Sequence, residues 1–105
     1  MIEFQYFPGC PNAAETLYNL QQLIDEGVLA AEEVKITKVE DEQLAHQVSF
    51  QGSPSILVDG LDLYTEAKPG GTHFACRTYI IDGRRTGVLP KDFIRRQLTK
   101  LRRSV

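Results

Sequence analysis

A short strand pattern changes abruptly into a long helix pattern within the first quarter of this chain. Residues 2–7 alternate in polarity as a β-strand does, and Pro8-Gly9 ends the alternation. Apolar residues then recur at helical spacing over residues 11–26, and Gly27 ends that pattern. Residues 33–39 are rich in β-branched side chains and predict a second strand. A strand, a helix and a strand in this order favour two parallel strands with a right-handed crossover, and therefore an α/β fold.

Five further elements are predicted from local patterns: a helix over residues 41–48, strands over residues 55–58 and 61–64, a short hairpin strand over residues 78–81, and a closing helix over residues 90–103. Gly52-Ser53-Pro54 breaks the chain before the first of these strands, and Asp59-Gly60 is typical of a two-residue hairpin turn. The predicted order is β-α-β-α-β-β-α, which gives a mixed four-stranded sheet flanked by helices and an insertion at about residues 65–89. Each long helix predicts one buried face, formed by Ala13, Leu17, Leu20 and Ile24 in the first and by Ile94, Leu98 and Leu101 in the last.

Charge is distributed unevenly along the 105 residues, although the net charge is only −2. Residues 1–66 hold twelve of the fourteen Asp and Glu residues but only two of the twelve Lys and Arg residues. This distribution predicts internal charge pairing with the basic last helix rather than a nucleic-acid surface. No apolar run is long enough to cross a bilayer, and residues 1–4 lack the features of a signal peptide, so we expect a cytoplasmic protein.

Cys10 is the first residue that predicts chemistry. If Pro11 occupies the first helical position, Cys10 is the N-cap, whereas Asn12 with Glu15 offers a competing cap two residues later. In either case Cys10 lies at the helix N-terminus, where N–H groups and the helix dipole favour the reactive thiolate. The alternative is a small buried side chain that merely precedes a helix. Pro8-Gly9 favours an exposed turn, and therefore the reactive interpretation.

Two motifs resemble the active site of thioredoxins and glutaredoxins. Residues 6–13 (YFPGCPNA) are similar to their active-site turn, and residues 52–60 (GSPSILVDG) are similar to their cis-proline loop, next strand and hairpin. The resemblance covers nearly the whole chain outside the insertion and implies a single thioredoxin-like domain over residues 1–105. It also implies a cis peptide bond before Pro54, which would face Cys10 and leave the backbone of Ser53 free to pair with an extended substrate. With Pro11, these residues form the implied substrate-binding surface.

The chain departs from the thioredoxin pattern at Ala13, where that family has a second cysteine. The other cysteine of this sequence is Cys76, in the insertion. A more particular resemblance is carried by the segments GCPN, GSP and CRTY, which begin at Gly9, Gly52 and Cys76. It is to short bacterial thioredoxin-like proteins of undefined activity, some labelled as related to alkylmercury lyases. This label indicates soft-metal chemistry rather than cleavage of a carbon–mercury bond.

Three roles for Cys76 stay open. It can resolve a mixed disulfide in place of the cysteine missing at Ala13, it can be the second ligand of a two-coordinate soft metal such as Hg(II) or Cu(I), or it can be buried and inert. His73 is close enough in sequence to polarise Cys76, although a lone loop histidine, like His46 on the short helix, is usually only solvated. Two cysteines and two scattered histidines do not predict a structural zinc site.

Three functions are consistent with these residues. The leading hypothesis is a thiol–disulfide oxidoreductase-like or thiol-reactive domain without a cofactor, in which Cys10 attacks a protein or a low-molecular-weight thiol or disulfide substrate. Ser53 and Pro54 would hold that substrate, and Cys76 would resolve the mixed disulfide. The alternatives are a soft-metal binder that uses both cysteines and a redox-inactive interaction module. We expect no membrane or nucleic-acid partner.

Overall fold

The computed structural model describes residues 1–103 of the chain. Within these residues the chain forms six β-strands, one short 3₁₀ turn and three α-helices. In chain order they are β1 Ile2–Tyr6, α1 Ala13–Asp25, the 3₁₀ turn Ala31–Glu33, β2 Val34–Lys38, α2 Glu42–Gln47, β3 Ser55–Val58, β4 Leu61–Asp62, β5 Tyr79–Ile81, β6 Arg84–Thr86 and α3 Lys91–Arg103. The predicted α/β class, with its mixed four-stranded sheet and its helices, is confirmed.

Four strands form one mixed sheet in the order β2-β1-β3-β4. β1 and β2 are parallel, as a crossover through α1 predicts, whereas β3 is antiparallel to both of its neighbours. All four residues of β3 are buried, as expected for a strand inside a sheet that is covered on both faces. β5 and β6 pair separately as the short hairpin predicted around Asp82-Gly83.

The turn between β3 and β4 is formed by Asp59-Gly60, as predicted. Both residues have positive φ angles, of 50° and 86°, as a type I′ hairpin turn requires. β4 ends at Asp62, two residues earlier than predicted, because the Asp62 carboxylate accepts hydrogen bonds from the N–H groups of Tyr64 and Thr65 at 2.8 and 3.1 Å. These bonds turn the chain away from the sheet.

The predicted buried face of α3 is confirmed, whereas that of α1 is rotated relative to the prediction. Leu17 and Ile24 are only half-buried, and Thr16 and Leu23 are fully buried in their place. Thr16 tolerates burial because its hydroxyl accepts a hydrogen bond from the N–H of Leu89 at 3.2 Å. This bond ties α1 to the segment that precedes α3.

Ion pairs join the acidic first part of the chain to the basic last part, as the charge distribution predicts. Glu26 pairs with Lys91 and Arg95, and Glu33 pairs with Arg102. The polar face of α3 is therefore a solvated face that complements acidic side chains. Within residues 1–103, none of the helices is both long and apolar enough to cross a membrane.

We expect the Glu26 ion pairs to make the stability depend on pH. Hydrogen bonds from Lys91 and Arg95 lower the pKa of Glu26 in the folded protein below its usual value of 4.5. A lowered folded-state pKa adds stability that is present above the unfolded-state pKa and is lost as the pH falls through the folded-state pKa. Glu26→Gln should therefore have a lower Tm than the wild type at neutral pH, and the difference should shrink as the pH falls through the folded-state pKa of Glu26.

Glu32→Gln is the matched control, because Glu32 is exposed and has no ion-pair partner within residues 1–103. Its Tm should follow that of the wild type at every pH. A Tm deficit of Glu26→Gln that is equally large at neutral and at acidic pH would contradict the ion-pair contribution.

Candidate functional site

Cys10 lies at the junction of two consecutive turns between β1 and α1. The N–H of Cys10 donates to the C=O of Phe7 at 3.3 Å and closes a turn through Pro8-Gly9, in which the glycine has a φ of 86°. A type II turn favours proline and glycine at these two central positions. The C=O of Cys10 then accepts from the N–H of Ala13 at 3.4 Å and closes a second turn through Pro11-Asn12.

These turns place Cys10 outside the helix. α1 begins at Ala13 with Asn12 as its N-cap, so the predicted helix start at Pro11 and the predicted cap position of Cys10 are wrong. The helix is delayed because the second turn is closed by a bond from residue i to residue i+3 instead of a helical bond. Cys10 precedes the N-cap by two residues, and the competing cap at Asn12 is the one observed.

The loop before α3 contacts the start of α1. The Asn12 side chain makes no capping hydrogen bond and packs against Gly87, where an added Cβ would lie 2.1 Å from Asn12 Nδ2. Any side chain at position 87 would therefore displace Asn12.

An apolar cleft of about 400 Å³ lies beside Cys10. Its walls come from β1, β2, the Cys10 turn and the start of α1, and the lining residues are Phe4, Tyr6, Phe7, Gly9, Cys10, Ala13, Ala14, Leu17 and Ile36. Cys10 is half-buried and packs against the hydrophobic core, whereas Ile36 is 53% exposed and leaves one wall accessible. Apolar walls with one reactive group are typical of a site for a small apolar ligand.

The peptide bond between Ser53 and Pro54 is cis, as the resemblance implies. Both residues are buried, and Ser53 Oγ accepts a hydrogen bond from the N–H of Phe7 at 3.2 Å. Phe7 is also the first residue of the turn that ends at Cys10. The segment just before β3 that contains Ser53 and Pro54 is therefore bonded directly to the turn that contains Cys10.

The backbone of Ser53 is not free for a substrate, contrary to the expectation from the resemblance. Its N–H donates to the C=O of Ala75 and its C=O accepts from the N–H of Arg77, both at 2.9 Å, so that Ser53 and Cys76 form an isolated parallel bridge. Gly52 permits this close approach, because a Cβ there would lie 3.0 Å from the Arg77 Cβ and 3.1 Å from the Ala75 carbonyl oxygen. The insertion thus occupies the predicted substrate platform.

Cys76 is exposed, so its interpretation as a buried and inert cysteine is wrong. Neither cysteine is in a disulfide. The segments of the two cysteines both bond to Ser53: Cys76 pairs with its backbone, and the Cys10 turn binds its hydroxyl. His46 and His73 are both exposed. Within residues 1–103, no group of three or more His, Cys, Asp or Glu side chains is arranged to hold a metal ion.

A buried ion pair, which the sequence analysis missed, anchors the residue after Cys76. Arg77 donates to both carboxylate oxygens of Asp62, at 2.6 and 3.1 Å, and also to Ser55 Oγ at 2.9 Å. Asp62 is only 1% exposed. Burial opposes the charge on Arg77, but the hydrogen bonds to Asp62 and the neighbouring phenol groups raise its pKa overall, so the guanidinium stays charged.

Tyr79 extends this buried polar cluster to the cis peptide. Its ring centroid lies 4.7 Å from Cζ of Arg77, and its hydroxyl donates to the C=O of Pro54 at 2.5 Å. Burial raises the pKa of Tyr79, which keeps the hydroxyl protonated and able to donate. Tyr64 packs edge-on against Tyr79 with centroids 4.8 Å apart. Side chains of the insertion therefore bind Pro54 and Ser55, whereas its backbone binds Ser53.

We expect Asp62→Ala to lower the free energy of unfolding by about 3–5 kcal/mol, because it leaves the buried Arg77 guanidinium without its partner. Chemical denaturation at neutral pH measures this loss. Asp82→Ala is the control, because Asp82 pairs with Arg96 on the surface, where the side chains are 74% and 59% exposed. Its loss should be much smaller. Equal losses in the two variants would contradict the importance of the buried pair.

No protein-family model matches this sequence, and no curated protein sequence matches it either. Among the solved structures, the chain is similar to one described as the structure of a malarial protein, with a TM-score of 0.51 and 13% sequence identity. The similarity covers 94% of this chain and 92% of that chain. At this level of identity the likeness concerns the fold alone, and it extends over nearly the whole length of both chains.

Proposed function

We propose that this chain is a thioredoxin-like, thiol-reactive domain in which Cys10 is the attacking thiol. Three features support the proposal: the sheet order β2-β1-β3-β4 with a long helix after β1, the position of Cys10 between β1 and α1, and the cis peptide bond before Pro54. Each is a feature that the resemblance to thioredoxins implies. The hydrogen bond between Phe7 and Ser53 connects the second feature to the third.

The observation that carries the proposal is the apolar cleft lined by Cys10. A thiol at the wall of such a cleft can meet a substrate sulfur whose apolar substituent occupies the cleft. Pro11 is exposed beside Cys10 and is available for contact with the substrate. Ser53 and Pro54 are buried, so they hold the Cys10 turn in place rather than touch the substrate.

The proposed reaction is thiol–disulfide exchange. The Cys10 thiolate forms a bond to one sulfur of a disulfide, the substrate S–S bond breaks, and the other sulfur leaves as a thiolate that takes up a proton. A low-molecular-weight thiol then attacks the mixed disulfide on Cys10 and releases the second substrate thiol. A second molecule of the same thiol restores Cys10, so that two electrons pass from the thiol pair to the substrate.

We assign the attack on the mixed disulfide to an added thiol, because Ala13 occupies the position at which a second cysteine would lie within the same turn. Ala13 lines the cleft and has no group that could attack the mixed disulfide. Cys76 is held in a backbone bridge with Ser53, and its thiol is exposed to solvent. A mechanism with one essential thiol is therefore the one that this geometry favours.

We expect the protein to catalyse reduction of an aromatic disulfide by a low-molecular-weight thiol, and we expect Cys10→Ser to reduce the rate to the uncatalysed background. Cys76→Ser should keep at least about half of the wild-type rate, because Cys76 is not needed for the exchange. Initial rates at neutral pH measure both variants. Catalysis that survives in Cys10→Ser, or that is lost equally in both variants, would contradict the assignment.

A cleft-filling variant sharpens this test. Ala14 is an exposed residue of α1 that lines the cleft. Ala14→Phe should therefore lower kcat/KM for an aromatic disulfide about tenfold. The same variant should have little effect on kcat/KM for a small hydrophilic disulfide. Ala31→Phe is the control, because Ala31 is exposed and does not line the cleft. Equal effects of Ala14→Phe on both substrates would show that the cleft does not bind the substituent.

A second candidate function is binding of a soft metal ion by the two cysteines. The observation that favours it is that the segments of the two cysteines bond to the same residue, Ser53. Two thiolates suit a linear two-coordinate ion such as Hg(II). One equivalent of Hg(II) should then bind tightly to the wild type in the presence of a competing thiol, and tight binding should be lost in both Cys10→Ser and Cys76→Ser. Loss in only one variant would exclude a shared site.

A further inference from the structure

β2 is an edge strand, and no strand within residues 1–103 pairs with its outer side. Its residues Val34–Lys38 pair with β1 on one side only, and none of the five is buried. The N–H of Val39, the next residue, donates to the C=O of Tyr6 on β1 at 2.7 Å. Because successive residues of a strand point their N–H and C=O groups to opposite sides, Ile36 and Lys38 point theirs away from β1. Such an edge can accept another strand.

The two faces of β2 differ in chemistry. Ile36 lies on the α1 face, where it lines the apolar cleft and is 53% exposed. Lys35 and Thr37 lie on the opposite face, and the Thr37 hydroxyl donates to the carboxylate of Glu3 on β1 at 2.6 Å. Within residues 1–103, neither Glu3 nor Lys35 has an ion-pair partner. The edge therefore presents an exposed apolar side chain on one face and an unpaired acid and base on the other.

We propose that two copies of this chain associate through β2, with the two strands antiparallel about a two-fold axis at Ile36. In this register Ile36 and the partner's Ile36 form a hydrogen-bonded pair. The N–H of Lys38 donates to the C=O of the partner's Val34, whose own N–H already donates to Ala31 within its chain. The pairing is the same in both directions, as a two-fold interface requires, and it leaves neither β2 edge open for a further copy.

The charges favour a second copy in this register. Lys35 lies opposite the partner's Thr37, whose hydroxyl binds Glu3, so that each Lys35 comes close to the Glu3 carboxylate of the other copy. A two-fold axis at Lys35 instead of Ile36 would place the two copies of Lys35 directly opposite each other, which is destabilising. Lysines on an edge strand ordinarily oppose pairing. Here the lysine meets an acid that has no other base, and the edge is complementary to itself.

The pairing also extends one wall of the cleft beside Cys10. Ile36 lines that cleft, and residues directly opposite each other in an antiparallel pair have their side chains on the same face. The partner's Ile36 therefore lies against the exposed side of this wall. This consequence rests on the proposed function of the cleft, whereas the pairing depends only on the backbone of β2 and on the two charges.

The state of association in solution tests the pairing. The interface is about one strand wide, and small interfaces are typically weak, so we expect a dimer to form between about 0.1 and 1 mM protein. Sedimentation equilibrium should give the same result for the wild type with a reductant and for the double variant Cys10→Ser, Cys76→Ser, which cannot form disulfides. A protein that stays monomeric at about 1 mM would overturn the proposal. Loss of thiol exchange in Cys10→Ser bears on the proposed function alone, so the two failures are distinguishable.

A proline at the two-fold axis tests whether β2 is the interface. Ile36→Pro removes an N–H that points outward and leaves the bonds between β1 and β2 in place, so it should weaken the dimer at least about tenfold. Ile36→Val keeps the N–H and a branched side chain, and this matched control should associate as the wild type does. Far-UV circular dichroism and the Tm check that Ile36→Pro is folded. Equal association of folded Ile36→Pro and the wild type would overturn β2 as the interface.

Two charge variants give a second test that a change in stability cannot imitate. Lys35→Glu alone brings carboxylates together across the interface, and Glu3→Lys alone brings ammonium groups together. Each should therefore associate at least about tenfold more weakly than the wild type. In an equimolar mixture, a dimer of one copy of each variant has opposite charges at both contacts. The mixture should associate at least about tenfold more tightly than either variant alone, and a mixture that associates no more tightly would overturn the proposed register.

Discussion

Ser53 has no contact with solvent, so each of its polar groups needs a partner within the protein. Its hydroxyl accepts the N–H of Phe7, its N–H donates to Ala75, and its C=O accepts from Arg77. These three bonds join the two cysteine-containing segments to the residues just before β3. A buried donor or acceptor left without a partner costs about 1–3 kcal/mol. Ser53 therefore helps to fix both the turn that contains Cys10 and the path of the insertion.

The Asp62 carboxylate meets a similar requirement at the other end of the insertion. One oxygen accepts from the N–H groups of Tyr64 and Thr65 and from Arg77, and the other accepts a second bond from Arg77. The same side chain thus ends β4 and anchors the segment of the insertion that contains Cys76 and Arg77. This arrangement explains how a charged pair is tolerated in the interior, because both carboxylate oxygens accept hydrogen bonds in place of those that burial removes.

Local patterns predicted most of the fold. β3 and the turn at Asp59-Gly60 could be identified because strand propensity and positive-φ residues act over a few neighbouring positions. The first residue of α1 was predicted two positions too early. At a helix end, a hydrogen bond from residue i to i+3 readily replaces the helical bond from residue i to i+4, so the boundary is poorly determined by sequence. The pairing of the insertion with Ser53 could not be predicted, because its partners Ala75 and Arg77 lie 22 and 24 residues away and nothing in the sequence around them indicates pairing. The Arg77–Asp62 pair could not be predicted either. One acidic and one basic residue that meet only through the tertiary fold have no characteristic spacing in the sequence. The cis bond came from the resemblance, since composition gives no basis for it.

Ala13 occupies the position of the second cysteine of thioredoxins, and it also lines the cleft beside Cys10. It is the first residue of α1, it is 8% exposed, and its methyl group belongs both to the core and to the cleft wall. A thiol at this position would place a second polarisable, ionisable group beside Cys10 and would narrow the cleft by one heavy atom. The methyl group instead leaves an apolar surface next to a single half-buried sulfur. In the proposed function, the side chain that replaces a resolving cysteine would therefore also leave space for a substituent on the substrate. In the proposed function, selectivity for apolar substrates and dependence on an added thiol would therefore be two consequences of Ala13.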